Sequence, residues 1–182
     1  LLIMVVRIFL LTLVLFAITP TSSFAFLKQK GEHIIISGGP ASRGWESYRI
    51  ESHRHDRWWG NFVRSARRRM QQIRKADPNA QITWLVFKTA YEHRAKEDGV
   101  DHISNVMSVR DLESVRCKLI WFTTTDQLIN YVNNGGLGVN RSKTKIQNFE
   151  YFGHSNKHCF TFDYSGEVLG ASRVFLHETD LP

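Results

Sequence analysis

The sequence predicts a three-layer α/β fold, in which a mostly parallel sheet is flanked by helices. Four short apolar runs are bounded by glycine, proline or polar residues, as buried strands are. Segments with helical spacing of apolar residues separate the runs, and this alternation is typical of a parallel sheet covered on both faces. Residues 159–163 alternate instead, which predicts a β-hairpin that turns at residues 164–167 and returns at Val168 and Leu169.

The first predicted strand spans residues 33–36, a His-Ile-Ile-Ile run closed by Ser-Gly-Gly-Pro. A loop rich in Ser, Arg and His follows over residues 41–55. We expect Asp56 to cap the next helix, because a carboxylate accepts the free N–H groups of a first helical turn. That helix carries an apolar stripe at spacings of three and four residues, formed by Trp59, Phe62, Val63, Ala66, Met70 and Ile73. Residues 77–79, Asp-Pro-Asn, end it.

Three further apolar runs are the remaining predicted strands, at residues 82–87, 119–122 and 149–152. A polar stretch over residues 91–101 leads into a weaker helix around residues 109–115. A short helix over residues 127–133 begins behind Thr125 and Asp126. The sequence contains no internal repeat, and no second domain is evident.

The N-terminus predicts a cleaved signal peptide over residues 1–25. Arg7 supplies a positive charge before an apolar run over residues 8–18, and a Ser-Phe-Ala sequence ending at Ala25 has the small-x-small pattern that signal peptidase recognises. The run is shorter than the about 20 residues that a helix needs to cross a bilayer, so cleavage is favoured over anchoring. We therefore expect a secreted or periplasmic protein without a stable membrane anchor, whose α/β domain spans residues 26–182.

The net charge and the cysteine content bear on which binding partners and which cysteine-based sites the sequence predicts. The formal net charge is +7, and such a surplus can attract nucleic acid or anionic surfaces. Much of it lies on the Arg-rich helix, where a solvated face is the commoner explanation and interleaved exposed aromatic residues are missing. No nucleic-acid partner is therefore expected. The two cysteines, Cys117 and Cys159, form neither a disulfide framework nor a CxxC zinc pattern, and whether they join stays open.

The predicted parallel strands indicate where a ligand-binding or catalytic site would lie. Ligands of open α/β sheets bind outside the carboxyl ends of the strands, which makes residues 37–39, 88–91 and 153–156 candidate edges of a site. His154 is best placed there as a general acid or base. Gly153 removes a side chain beside it, leaving room for a substrate backbone, and its amide could face a developing oxyanion. The alternative is that His154 is a structural strand-end histidine bonded to a carbonyl.

Other chemistries have weaker support. Four potential zinc ligands are near one another in sequence: His154, His158, Cys159 and His177. Two of them are adjacent on an alternating strand and point to opposite faces, so neither a metal nor another cofactor is expected. A Ser-His-Asp triad through Ser155 is disfavoured because adjacent residues rarely aim at one another and no GxSxG elbow is present. The glycines after the first strand match neither GxxxxGK[ST] nor GxGxxG.

The order of elements resembles that of the caspase-like cysteine peptidases, which include caspases, metacaspases, clostripain, gingipains and CHAT domains. In that family a strand ends in a hydrophobic-hydrophobic-Gly-His-Gly pattern. Here the pattern is Tyr-Phe-Gly-His-Ser over residues 151–155, with serine replacing the last glycine. Residues 159–169 are similar to the strand pair that follows the catalytic histidine in CHAT-type members. The resemblance extends from about His33 to the C-terminus.

The resemblance implies a Cys-His dyad that hydrolyses a peptide or protein substrate. A cysteine thiolate attacks the peptide carbonyl, His154 protonates the leaving amine and later activates water, and the Gly153 amide helps to form the oxyanion hole. The residues that it implies beside the substrate are Arg43, His55, Asp56 and Ser155.

The family's nucleophile follows another apolar strand, one helix beyond the hairpin. Cys159 lies inside the predicted hairpin, and Cys117 precedes the third strand at the opposite edge of the sheet, so neither suits the role. We therefore expect a nucleophile beyond Pro182 and an incomplete domain. Two alternatives stay open: a catalytically inactive secreted binding or scaffold domain of the same fold, and an unrelated exported α/β hydrolase.

Overall fold

The computed structural model describes residues 31–54, 58–164 and 174–180. The predicted signal peptide, His55, Asp56 and the predicted return strand at Val168 and Leu169 lie outside these residues. The strands are β1 (Glu32–Ser37), β2 (Gln81–Phe87), β3 (Lys118–Phe122), β4 (Gly135–Gly136), β5 (Val139–Asn140), β6 (Ile146–Phe152), β7 (His154–Ser155), β8 (Cys159–Thr161) and β9 (Phe175–His177). The α-helices are α1 (Arg43–Tyr48), α2 (Asn61–Ala76), α3 (Lys88–Asp98), α4 (His102–Arg110) and α5 (Thr125–Asn134).

The four apolar runs form a parallel sheet in the order β3-β2-β1-β6. Strand β1 is central, and its three isoleucines are fully buried because layers cover both faces. In the register of the sheet, Ile35 lies beside Trp84 on β2 and beside Glu150 on β6. The predicted three-layer α/β fold is therefore confirmed.

Two apolar cores lie on opposite faces of the sheet. The first packs helices α2 and α4 onto the strands and contains Ile35, Val63, Ala66, Met70, Ile73, Ile82, Trp84, Val86 and Val106. The second packs helix α5 and the C-terminal hairpin onto the other face and contains Ile34, Ile36, Leu85, Phe87, Phe122, Leu128, Phe162 and Leu176. Within the described ranges, no helix has the length and apolar character needed to cross a membrane.

Strands β7, β8 and β9 form a small antiparallel sheet directly after β6, which confirms the predicted hairpin. His154 pairs with Thr161, and Cys159 pairs with His177. The strand that returns beside β8 is β9, about six residues further along the chain than the predicted return.

The helix boundaries differ from the predicted ones in two regions. Helix α2 begins at Asn61 with Gly60 at its N-cap position, so it starts later than a helix capped by Asp56 would. The stretch over residues 91–101 was expected to be a polar connection, but most of it belongs to helix α3. Helix α4 ends at Arg110, where the predicted helix should have begun. The prediction failed there because the buried face of α3 includes Arg94, a charged side chain that hydropathy places outside.

The amino ends of the strands are closed by a buried polar network around Glu32, whose side chain is fully buried. Arg141 donates to this carboxylate at 2.7 Å, Tyr131 donates at 2.5 Å, and Thr83 also donates to it. Burial, followed by the hydrogen bond to Glu32, raises the pKa of Tyr131 to about 12. Because the carboxylate of Glu32 and the guanidinium of Arg141 pair with each other, we interpret this buried network as structural.

Candidate functional site

The exits of β1 and β6 meet at the carboxyl edge of the sheet. The backbone N–H of Gly38 donates to the carbonyl of Phe152 at 2.9 Å, and that of Gly39 donates to the carbonyl of Phe162 at 2.8 Å. The segment after β1 is therefore fixed to the end of β6 and to Phe162, the residue directly after β8. This arrangement places Gly153 and His154 beside the glycines of β1, as the parallel order requires.

Tyr151 holds this junction from inside. Its hydroxyl lies 2.9 Å from the carbonyl of His154 and 2.7 Å from that of Thr161, so its single proton is shared between carbonyls on both sides of the β7–β8 turn. Burial raises the pKa of Tyr151 far above its ordinary value, so the phenol keeps its proton.

The glycines at the junction leave space for this hydroxyl. A Cβ on Gly38 would lie 2.6 Å from the Tyr151 oxygen, and a Cβ on Gly153 would lie 2.0 Å from it. Distances this short exclude any side chain. The sequence suggested that Gly153 leaves room for a substrate, but the side chain of Tyr151 fills that room. The close packing of Tyr151 therefore explains why position 153 is a glycine without any substrate being involved.

The imidazole of His154 is half-buried between two aromatic rings. The Phe62 ring meets it edge-on, with centroids 5.0 Å apart, and the Tyr164 ring lies 4.4 Å away. Trp45 packs behind Tyr164 at 6.1 Å. These contacts restrict the rotation of the imidazole while leaving part of it open, as a group that exchanges protons with a ligand requires.

The loop after β1 supports Tyr164 through its backbone. Ala41 forms a parallel bridge with Tyr164, and the Ser42 N–H donates to the Tyr164 carbonyl at 3.3 Å. Helix α3 fixes the loop in turn: Arg94 donates to the Ala41 carbonyl at 2.7 Å, and the Tyr91 hydroxyl donates to the Gly38 carbonyl at 3.0 Å. Helix α3 therefore acts on His154 through the loop and Tyr164.

Arg43 lies in this loop, as the first residue of α1, but its side chain is engaged within the protein. Its guanidinium pairs with Asp98, and its backbone N–H donates to Glu97 at 2.8 Å. Asp98 also accepts from Arg94 at 3.1 Å and contacts His102 at 2.8 Å. Burial would raise the pKa of Asp98, but the hydrogen bonds from His102, Arg43 and Arg94 outweigh it and lower the pKa. A substrate carboxylate would have to compete with Asp98 for Arg43.

Of the other three residues implied beside a substrate, His55 and Asp56 lie outside the described residues. Ser155 is exposed on β7, opposite Phe160. The structure therefore brings His154, Gly153 and Ser155 together, whereas Arg43 faces the Asp98 cluster.

Both cysteines are free thiols. Cys117 directly precedes β3, at the amino edge of the sheet, and burial raises the pKa of its thiol to about 12. Cys159 is half-buried in β8, with its sulfur 3.7 Å from the Thr161 hydroxyl. Within residues 31–54, 58–164 and 174–180, no three His, Cys, Asp or Glu side chains are arranged to hold a metal ion.

Sequence reasoning missed the residues that position the histidine, namely Phe62, Tyr151, Tyr164 and Arg94. The sequence carries no signal for the direction of the Tyr151 side chain. It carries none for the contact between Phe62 and His154 either, because Phe62 also fits the apolar stripe of α2.

Comparisons with known proteins assign no family to this site. No protein-family model matches the chain, and neither a curated protein nor a solved structure matches it.

Proposed function

We propose that this chain carries the histidine half of a Cys-His dyad in a caspase-like cysteine endopeptidase that acts on peptide or protein substrates. The observation that supports the proposal is the position of His154. His154 follows the parallel strand β6 at the carboxyl edge of the sheet. Its backbone carbonyl accepts a hydrogen bond from the Tyr151 hydroxyl, and its ring lies between those of Phe62 and Tyr164.

In the proposed reaction, a thiolate attacks the peptide carbonyl and the developing oxyanion accepts a hydrogen bond from the Gly153 amide. His154 protonates the leaving amine and, in the second step, takes a proton from the water that releases the acyl group. Fixing the imidazole in advance favours both proton transfers, because less orientational freedom is lost when the substrate binds.

The nucleophile in this proposal belongs to a part of the protein outside the described residues. The Cys117 thiol lies at the far end of the sheet and stays protonated, and Cys159 is held in the hairpin next to Thr161. Strand β6 lies last in the sheet order, so its outer edge is where an additional strand bearing the cysteine would pair. We also propose that the protein is exported with residues 1–25 removed, and N-terminal sequencing of the exported protein tests this.

The test of the peptidase is cleavage of a peptide library by the full-length natural protein, with His154→Ala as the test variant and His158→Ala as the matched control. His158 is an exposed histidine four residues away. We expect His154→Ala to lower kcat/KM by about 10³-fold and His158→Ala to leave it within about twofold.

A peptide-directed electrophile identifies the nucleophile in the same experiment, because mass spectrometry locates the labelled cysteine. Labelling at Cys117 would contradict the proposed dyad, as would equal turnover by the His154→Ala variant. An absence of cleavage across the library by the folded protein would favour the non-enzymatic binding domain instead.

A further inference from the structure

A groove with a volume of about 490 Å³ runs between the first two turns of helix α2 and the C-terminal half of helix α4. Its floor is apolar, since it includes Val63, which is 3% exposed, and the half-buried Val109. Trp58, Arg64 and Arg67 form its rim. The groove thus combines an apolar floor with a cationic and aromatic rim, and the mechanism proposed for His154 uses none of these groups.

Arg64 and Arg67 differ from Arg69 and Arg74 of the same helix, whose guanidinium groups bind other parts of the protein. Arg69 donates to Glu150 at 2.8 Å, and Arg74 donates to three backbone carbonyls. Arg64 and Arg67 are exposed and have no side-chain hydrogen bond or ion pair in the part of the chain that the structure describes. They are three residues apart and so lie on one face of α2. Together they can bind carboxylates without breaking an internal contact.

Trp58 supplies an aromatic surface at the entrance of the groove. Its side chain is 46% exposed, although burying an indole is favourable. The ring packs over Gly60, where a Cβ would lie 2.7 Å from it, so the glycine lets the indole lie close to the backbone. Exposed aromatic residues at the rim of a groove often mark a binding surface, and Trp and Arg dominate the energetics of protein interfaces.

We infer that this groove binds an acidic peptide segment. Carboxylates of the segment pair with Arg64 and Arg67, and an apolar or aromatic side chain packs against Trp58 and the valine floor. The side-chain amide of Asn105, which also lines the groove, can hydrogen-bond the peptide main chain.

The chemistry of the groove favours a peptide over a nucleic acid. A single strand of nucleic acid carries one phosphate per nucleotide and is held by a continuous basic track beneath stacked bases. Two cations above a floor of Val63 and Val109 fit alternating carboxylate and apolar side chains better.

Phe62, whose ring centroid lies 5.0 Å from that of the His154 imidazole, is about 160° around helix α2 from Arg64. The groove and the candidate active site are therefore on different sides of α2. The inferred binding of an acidic peptide does not depend on the proposed peptidase function.

Fluorescence anisotropy of a fluorescein-labelled eight-residue peptide composed of Asp, Glu, Leu and Phe tests the inference, with the full chain carrying His154→Ala so that no cleavage intervenes. The test variant is Arg64→Gln/Arg67→Gln. The matched control is Arg68→Gln/Lys75→Gln, which removes the same charge from exposed positions of the same helix outside the groove. We expect the test variant to weaken binding at least about tenfold and the control to stay within about twofold.

Three results would overturn the inference: equal weakening by both double variants, tighter binding of an eight-residue oligothymidylate than of the peptide, and no binding of the peptide by the His154→Ala chain. Thermal unfolding of each variant confirms that the fold is kept. Because binding is measured without turnover, a failure of the proposed peptidase and a failure of the groove give different results.

Discussion

The close packing of the Tyr151 hydroxyl against Gly38 can be tested with a double-mutant cycle. A Cβ added at Gly38 would lie 2.6 Å from the Tyr151 oxygen but 3.3 Å from its Cζ atom, so the hydroxyl, rather than the ring, excludes a side chain there. Gly38→Ala should therefore destabilise the protein by overpacking, by about 1–3 kcal/mol. Tyr151→Phe removes the donor to the carbonyls of His154 and Thr161 and should cost about 1–3 kcal/mol.

The double variant should be more stable than the sum of these two effects predicts. Without the hydroxyl, the new methyl group at position 38 meets the ring edge at 3.3 Å, which a shift of a few tenths of an ångström accommodates, and the Gly153 Cα at an ordinary contact distance of 3.4 Å. We expect a coupling free energy of about 1–2 kcal/mol that favours the double variant.

Gly153 provides the matched control for this cycle. A Cβ there would lie 2.2 Å from the Tyr151 Cζ as well as 2.0 Å from the oxygen, so removing the hydroxyl cannot relieve the clash. Urea unfolding of the full chain, followed by circular dichroism, gives the four free energies of each cycle. Equal coupling for the Gly38 and Gly153 pairs, or none for Gly38, would refute the geometry described for Tyr151.

Two further predictions concern ionisable groups. Because hydrogen bonds lower the pKa of folded Asp98, the stability that it contributes is present above the unfolded value of about 3.9 and is lost as the pH falls through the lower folded pKa. Asp98→Asn should lower the free energy of unfolding at pH 7 by about 3 kcal/mol. The free energy of unfolding of this variant should also fall less steeply between pH 5 and pH 3 than that of the wild type, and an equally steep fall would contradict the assignment. Burial raises the pKa of the Cys117 thiol to about 12. Iodoacetamide at pH 8 should therefore alkylate Cys117 at least about tenfold more slowly in the folded protein than in the urea-unfolded protein. Equal alkylation rates, followed by mass spectrometry, would contradict this burial.

The sheet could be predicted from the sequence because its strands are buried on both faces and therefore appear as continuous apolar runs. Helix α3 could not, because its buried face depends on a charge cluster. Arg94 is 1% exposed, and its charge is balanced by Asp98, which lies one turn further along the same helix. A hydropathy pattern records each of these residues as polar and cannot show that they satisfy each other. Asp101, which caps α4 by accepting from the Ser104 N–H at 2.9 Å, was the available signal for that helix.

The candidate site was predictable only as a location. Parallel order brings the ends of β1 and β6 to one edge, so His154 and the glycines after β1 could be placed together from the sequence. What fills the space between them depends on the side chain of Tyr151, whose direction no local pattern shows. The apolar stripe of α2 likewise gave no reason to place Phe62 against His154 rather than in the core.

The two supports of His154 differ in their dependence on charge. Its main chain is held by the phenol of Tyr151, an uncharged donor whose raised pKa keeps it protonated across the physiological range. Its ring is held on one side by Tyr164, which depends on the loop that Arg94 fixes, and Arg94 depends on the negative charge of Asp98. Acid that protonates Asp98 removes the negative charge that pairs with the buried guanidinium of Arg94 at 3.1 Å, whereas the Tyr151 hydrogen bonds are unaffected. The imidazole should therefore lose its orientation at a higher pH than its backbone loses its position, so acid should impair any proton transfer by His154 before the sheet unfolds.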